Sequence, residues 1–453
     1  MSLEGRAAST EGQRLKEQVE LIRQAFGYVN QFRGRIFVIR IASRVIQGSL
    51  FPILVKDLVL LHKMGIKIVL VPGARERIDA VLEQYAIPWS TVNGIRIADA
   101  SAMPFIKMAA FDVSNRLMTA LSENKTDAVI GNWVRARSMG IHRGVDFQCA
   151  GRVEKLKIGI VQSVLDQGLV PIFPNIGWNA KGTPYNISSA ELATRLSWEL
   201  SAEKLFFVAS SGTVSAREHG IPENVETSAD GSVSRFTVQE AKDFLSLNPE
   251  TDDALLHLVR FGVDACERGV RRVHIVNGGV EGVILKEIFS NRGFGTMIYA
   301  GEYANIRPMA GEDIPEVLRI MAPLVEKDVL IHRTARMLEE DCADFIVYEV
   351  DGTLHACGAL HVMEGNSGEI AGLAVDETYS QIGIGRKIVS YLLDRAKERK
   401  LEKVFVLTTQ ASDWFTQMGF VQADPEQLPE DKRASYNTRR NSAVLIYHPD
   451  AAR

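Results

Sequence analysis

The chain has 453 residues, 46% of them apolar, and a formal net charge of −4. That is length for two or three domains and apolar content for true cores, and the slight acidity gives no electrostatic footing for nucleic acid or an anionic membrane. Four cysteines (Cys149, Cys266, Cys342, Cys357) stand apart with no CxxC, so neither zinc nor a disulfide framework is expected. No run is long enough to span a membrane and no signal peptide is evident, so a cytoplasmic protein is expected.

Residues 1–12 are polar and small, and read as a disordered tail. Val19, Ile22, Phe26 and Val29 give residues 17–30 a helical period. From there strands and helices alternate. Strands are predicted at 36–40, 67–71, 128–130, 170–173, 204–208 and 272–276, and helices at 53–64, 76–85, 188–200 and 254–268. This rhythm argues an α/β fold whose parallel sheet is sandwiched by helices. The polar stretch 210–248 is expected to hold a hairpin at Asp230-Gly231 and a surface helix.

Near residue 300 the rhythm changes, which divides the chain into domains at 13–300 and 301–453. One helix is expected next, then strands joined by a tight turn at Asp351-Gly352, the mark of an antiparallel sheet in a smaller α+β domain. The stretch Gly368-Glu369-Ile370-Ala371-Gly372-Leu373-Ala374-Val375 reads as a strand. It leads through Gln381-Ile382-Gly383-Ile384-Gly385-Arg386 into an amphipathic helix. Strand, glycine turn and helix N-terminus together make an anion site, because backbone N–H groups converge where no Cβ blocks them. The period of two places Glu369, Ala371 and Leu373 on one side of the strand. A second strand at 403–409 and a short helix containing Trp414 and ending at Gly419 follow.

This last order resembles the GNAT acetyltransferases over about residues 305–447. The resemblance implies acetyl-CoA as acetyl donor and no metal, with the pyrophosphate on the glycine turn and the pantetheine between two splayed strands. The position three residues before the first glycine holds Ser380 where that family usually has Arg or Gln. The first 280 residues resemble the amino-acid kinase fold. At its two phosphate loops, however, stand Arg40-Ile41-Ala42-Ser43 and Pro72-Gly73-Ala74-Arg75, whose side chains occupy places where glycine is needed, so kinase chemistry is not expected. The combination is similar to the two-domain bacterial N-acetylglutamate synthases, matched also at residues 131–137, 144–147, 151–153, 294–298, 330–334 and 440–442.

That resemblance implies transfer of acetyl to the amino group of L-glutamate in arginine biosynthesis, with L-arginine as effector and a hexameric homo-oligomer. Glu369 matches the proposed general base, which a mostly protonated amine requires. Thr408 matches a donor to the leaving thiolate, or else satisfies its local backbone. Leu373, Val375, Gln381, Ile382, Gly383, Ile384, Gly385 and Arg386 would hold the coenzyme. Arg333, Arg440 and Ser442 would hold the substrate carboxylates, for which guanidinium is suited by its bidentate bonds. Tyr28, Lys204 and Glu302 are the candidate arginine contacts. Two other classes stand beside this reading: an arginine-sensing regulator with a degraded transferase half, and an acetyltransferase acting on a protein amine.

Overall fold

A computed structural model gives the fold and describes residues 32–249, 253–289, 294–300, 304–350, 353–376, 383–434, 436 and 442–449. The predicted helix at 17–30 and the turn at Asp351-Gly352 lie outside these residues. Two compact units divide at Gly301 and Glu302.

The first unit is built on an eight-stranded sheet. In chain order its relevant elements are β1 (Ile36–Ile41), α1 (Phe51–Lys63), β2 (Lys67–Pro72), α2 (Arg75–Gln84), α3 (Met103–Glu123), β3 (Ala128–Ile130), β4 (Val134–Ser138), β5 (Ala150–Leu156), β6 (Val170–Ile172), β7 (Ile176–Trp178), β8 (Pro184–Ile187), α4 (Ser189–Glu199), β9 (Lys204–Ala209), β10 (Arg235–Thr237), α5 (Val238–Leu247), α6 (Ala254–Glu267), β11 (Arg272–Asn277) and β12 (Gly295–Tyr299). The sheet order is β10-β12-β11-β9-β1-β2-β6-β3. Neighbouring strands run parallel except at the β11–β12 pair. Its central strands are apolar without interruption because both faces are covered. Phe206 and Phe207 are adjacent and fully buried, yet they feed opposite cores: Phe206 packs with Phe37, Ile39 and Leu70, and Phe207 with Val38, Val69 and Leu205. Strands β4, β5, β7 and β8 close a small barrel beside the sheet. The turn at Asp230-Gly231 is present, but the strand after it pairs with Val214-Ser215 across a long loop, so the hairpin is wide rather than tight.

The second unit carries a seven-stranded sheet. Its elements are β13 (Ala304–Pro308), α7 (Ile314–Glu326), α8 (Ala335–Glu340), β14 (Phe345–Val350), β15 (Thr353–Met363), β16 (Ser367–Val375), α9 (Ile384–Glu398), β17 (Lys403–Thr408), α10 (Ser412–Thr416), β18 (Val421–Ala423), α11 (Glu430–Ala434) and β19 (Ala443–Tyr447). Two helices stand between β13 and the rest of the sheet, where one was expected. The short α8 is started by Thr334, whose Oγ1 accepts from the Met337 amide at 3.3 Å. The strand order is β13-β14-β15-β16-β17-β19-β18, antiparallel except for the β16–β17 pair. One face packs on α9 through Ile370, Ile388 and Leu392, and the other on α7 through Phe345, Cys357 and Ala374. All four cysteines are free thiols. Among the described residues no helix is long and apolar enough to cross a membrane.

Candidate active site

Among the described residues of the second unit, two neighbouring strands part. β16 and β17 pair in parallel from Ser367↔Lys403 to Ile370↔Val406 and no further, although both strands continue. The gap coincides with Gly372, which lies at φ +60°, and with a register irregularity opposite Cys357–Ala359. A residue in the left-handed region cannot continue the pleat, so the strand bulges there. A Cβ at Gly372 would stand 3.0 Å from the Phe345 ring.

The bulge overturns one expectation. Glu369 and Ala371 stay on the α7 side, because Ala371 sits in one row with Ala359 and Phe345. Leu373 instead reaches the α9 side, where it packs with Ile388 and Leu392 near Gly358. A period of two fails wherever an extra residue enters the strand.

Glu369 is buried, with 6% of its surface exposed. Its Oε2 accepts from Lys432 Nζ of α11 at 2.6 Å. Across the sheet it is flanked by His361 and Phe405, and His361 Nδ1 lies 2.9 Å from Asp344 Oδ2. Neither Lys432 nor the His361–Asp344 pair was legible beforehand; the only signal for Lys432 was a basic residue in a charged loop, which usually marks a solvated surface.

Arg333 sits on the same face. Its guanidinium lies 5.8 Å from the Phe345 ring centroid, and Phe345 in turn touches the bulge. Cys357 on this face is a buried thiol pushed up to about 12, chiefly by desolvation, so it remains neutral.

Thr408 ends β17. Its Oγ1 accepts from the amides of Ala411 at 3.0 Å and Gln410 at 3.4 Å, which turns the chain into α10. Those bonds use the oxygen's lone pairs and leave the hydroxyl proton for donation. Thr408 pairs with Ala443, so Ser442 stands beside it at the start of β19. The Ser442 carbonyl accepts from Tyr436 Oη at 2.6 Å.

Helix α9 begins at the open end of the strands. Gly383 is its N-cap, at φ +71° and with no side-chain cap, and a Cβ there would meet nothing within 4 Å. The first-turn amides are therefore approachable and the first turn holds no acidic residue, while Arg386 and Lys387 add positive charge. This suits a phosphate. Gly385 lies against Trp414 and Val375, 3.4 and 3.7 Å from its would-be Cβ, and these two side chains wall the opening. Ile384 is buried and packs inward, so only its backbone can serve a ligand. Gln381, Ile382 and Arg440 lie outside the described residues.

In the first unit Lys204 is buried at the start of β9, its Nζ 4.8 Å from the Phe32 ring centroid. Burial holds its pKa well below the usual lysine range. Near it His274 Nδ1 pairs with Glu287 Oε1 at 2.9 Å, and the Glu287 Oε2 accepts from the Phe294 amide at 2.7 Å. Burial depresses His274 to about 4. These two residues were not anticipated, since each looks alone like an ordinary sheet or helix residue. Tyr28 and Glu302 lie outside the described residues.

The amino acid kinase family model matches residues 35–277 and the acetyltransferase (GNAT) family model residues 314–420. The amino-acid acetyltransferase of Escherichia coli K12 is 33% identical over 448 residues, covering 96% of this chain and 98% of its own. That of Shewanella oneidensis is 31% identical, covering 95% and 98%. Among solved structures, the N-acetylglutamate synthase of Neisseria gonorrhoeae complexed with coenzyme A and L-arginine matches with a TM-score of 0.81 and 29% identity over 95% of this chain and 99% of that one. Its complex with coenzyme A and N-acetyl-glutamate matches with a TM-score of 0.59 and 30% identity over the same shares.

Proposed function

The chain belongs to the amino-acid acetyltransferase family, and from that premise we propose that it acetylates the amino group of L-glutamate, acting as an N-acetylglutamate synthase under arginine control. The observation that carries the reading is a buried glutamate on the strand that leaves its parallel neighbour, three residues before a left-handed glycine. Bound acetyl-CoA supplies the activated thioester. The open amides at Gly383 and the gap between β16 and β17, walled by Val375 and Trp414, fit its pyrophosphate and pantetheine. That fit, with near full-length relatives, argues against a degraded transferase half despite Ser380.

Glu369 takes the proton that the substrate ammonium must lose before its nitrogen becomes a nucleophile. Lys432 orients that carboxylate through its 2.6 Å ion pair. Arg333, together with Arg440 and Ser442, holds the two substrate carboxylates. The Thr408 hydroxyl accepts from two amides, which leaves its proton free, and it donates that proton to the departing sulfur in this reading. L-arginine is the effector, a reading supported by the Neisseria relative solved with L-arginine; Lys204, Tyr28 and Glu302 are its proposed contacts. A cytoplasmic homo-oligomer, hexameric as in the resembled family, completes the proposal.

The test is thiol release from acetyl-CoA in the presence of glutamate. Arg333→Ala should raise the KM for glutamate roughly tenfold or more, the loss of a charged hydrogen bond, with the acetyl-CoA KM unchanged. A collapse of acetyl-CoA binding instead would remove Arg333 from the substrate site.

A further inference from the structure

Acetyl transfer to an ammonium releases a proton at every turnover: ammonium and thioester become an amide, a thiol and one proton that must reach water. Glu369, the base that takes it, is buried. A base that cannot empty acts once, so its neighbours on the α7 side of the sheet decide where the proton goes.

Glu369 stands in a row across the strands between Phe405 and His361, its direct partners on β17 and β15. Side chains directly opposite on antiparallel strands share a face, with Cβ atoms about 4.5–5.5 Å apart, so the imidazole neighbours the carboxylate. Phe405 is fully buried and packs with Leu428, Val444 and Ile446, which makes that side an apolar wall. Lys432 Nζ lies 2.6 Å from Glu369 Oε2, but an ammonium has no lone pair and accepts no proton. Of these neighbours, His361 alone can.

The His361 ring is oriented by Asp344. The Asp344 carbonyl accepts from the Leu360 amide at 3.1 Å, which brings the residue beside His361, and its Oδ2 lies 2.9 Å from His361 Nδ1. A carboxylate only accepts, so Nδ1 carries the hydrogen and the neutral ring keeps its lone pair on Nε2. The ring meets Phe345 edge-on, centroids 6.1 Å apart at 75°, and the Arg333 guanidinium lies 5.8 Å from the same Phe345 centroid. The imidazole therefore adjoins the face assigned to substrate. Side-chain exposure rises from 7% at Glu369 to 16% at His361 and 32% at Asp344. The groups lead outward.

We propose that His361, oriented by Asp344, relays the proton from Glu369 to water. The relay rests on the role of Glu369 in the proposed function. An ammonium N–H bond breaks and its proton joins the Glu369 carboxylate. The proton passes to His361 Nε2, and the imidazolium releases it from Nε2 to water. Imidazole ordinarily holds a proton more tightly than a carboxylate does, so the base is emptied for the next turnover. Asp344 keeps its bond from Nδ1 throughout and stabilises the cation. His361 acts through Glu369 and is a positioning residue.

Thiol release by the full-length protein, in dilute buffer with and without added imidazole, tests the relay. His361→Gln should lower kcat roughly tenfold or more with both KM values unchanged, and free imidazole should restore most of the loss. Asp344→Asn, which leaves the histidine in place, should give a smaller loss that imidazole also restores; it serves if His361→Gln does not fold. An unchanged kcat, a loss that imidazole does not restore, or a raised KM for glutamate would overturn the proposal. A second readout needs no turnover: nitrogen NMR of the protein labelled with ¹⁵N-histidine. The His361 signals should report the Nδ1–H tautomer, and the Nε2 signal should move in Glu369→Gln. The opposite tautomer, or an Nε2 signal indifferent to Glu369→Gln, would overturn the relay. Absence of thiol release by the wild type would count against the proposed function, and the NMR result then decides the relay alone.

Discussion

Glu369 and Lys432 form the pair on which the proposed chemistry turns. A buried carboxylate held by one ammonium is a fixed base rather than a mobile one. Glu369→Gln should lower kcat by roughly 10²–10⁴-fold, the range of general acid–base catalysis, with little change in thermal midpoint because the amide keeps shape and strand packing. Near-normal kcat would make the residue structural. Lys432→Met makes the complementary case. It strands a carboxylate of 7% exposure, and breaking such a pair from one side costs roughly 3 kcal/mol. The double variant Glu369→Gln/Lys432→Met should recover most of that loss in a denaturant titration, and additive losses would contradict the pairing. Glu369 itself was legible in the sequence, since a carboxylate inside an apolar strand stands out. Its partner was not, because α11 meets the sheet only through the tertiary fold.

At the scale of elements the decisive feature is a single left-handed residue in β16. Gly372 both ends the pairing with β17 and sends Leu373 to the helix face. Gly372→Ala must hold φ +60° with a methyl 3.0 Å from the Phe345 ring, at a cost of about 1–3 kcal/mol. It should raise the KM for acetyl-CoA and lower the thermal midpoint together, whereas an unchanged KM would mean that the bulge does not shape the coenzyme site. The strands of this unit were readable from their apolar runs, as was the glycine turn into α9. The bulge was not: a glycine between Ala371 and Leu373 gives no local sign that it will adopt positive φ, and alternation then misplaces every residue beyond it. The same limit hid α8, which is too short to show a period.

Over the whole molecule, two folds with separate cores share one chain, and the periodicity switch near residue 300 made both readable. The first matches the amino acid kinase family, but Ala42, Ser43, Ala74 and Arg75 stand in its two strand-end loops. With the Ala42 and Gly73 amides donated to protein carbonyls, Mg–ATP and N-acetylglutamate should yield no ADP above the uncatalysed rate. Its buried His274–Glu287 pair also sets a pH dependence. His274 titrates at about 4 in the folded state, below its unfolded value of about 6.5. The unfolded chain therefore binds more protons between those values, and stability falls as pH drops through that window. Glu287, lowered by its bond from His274 against the opposing effect of burial, adds in the same direction. His274→Gln should flatten the fall in thermal midpoint between about pH 6.5 and 4; an unchanged slope would place the acid sensitivity elsewhere.

The proposed enzyme transfers acetyl to one amino acid. Thiol release from acetyl-CoA, followed across a panel of amino acids with and without L-arginine, tests it most directly. L-glutamate alone should drive release, at a rate that arginine changes. Release driven equally by other amino acids, or none with glutamate, would contradict it.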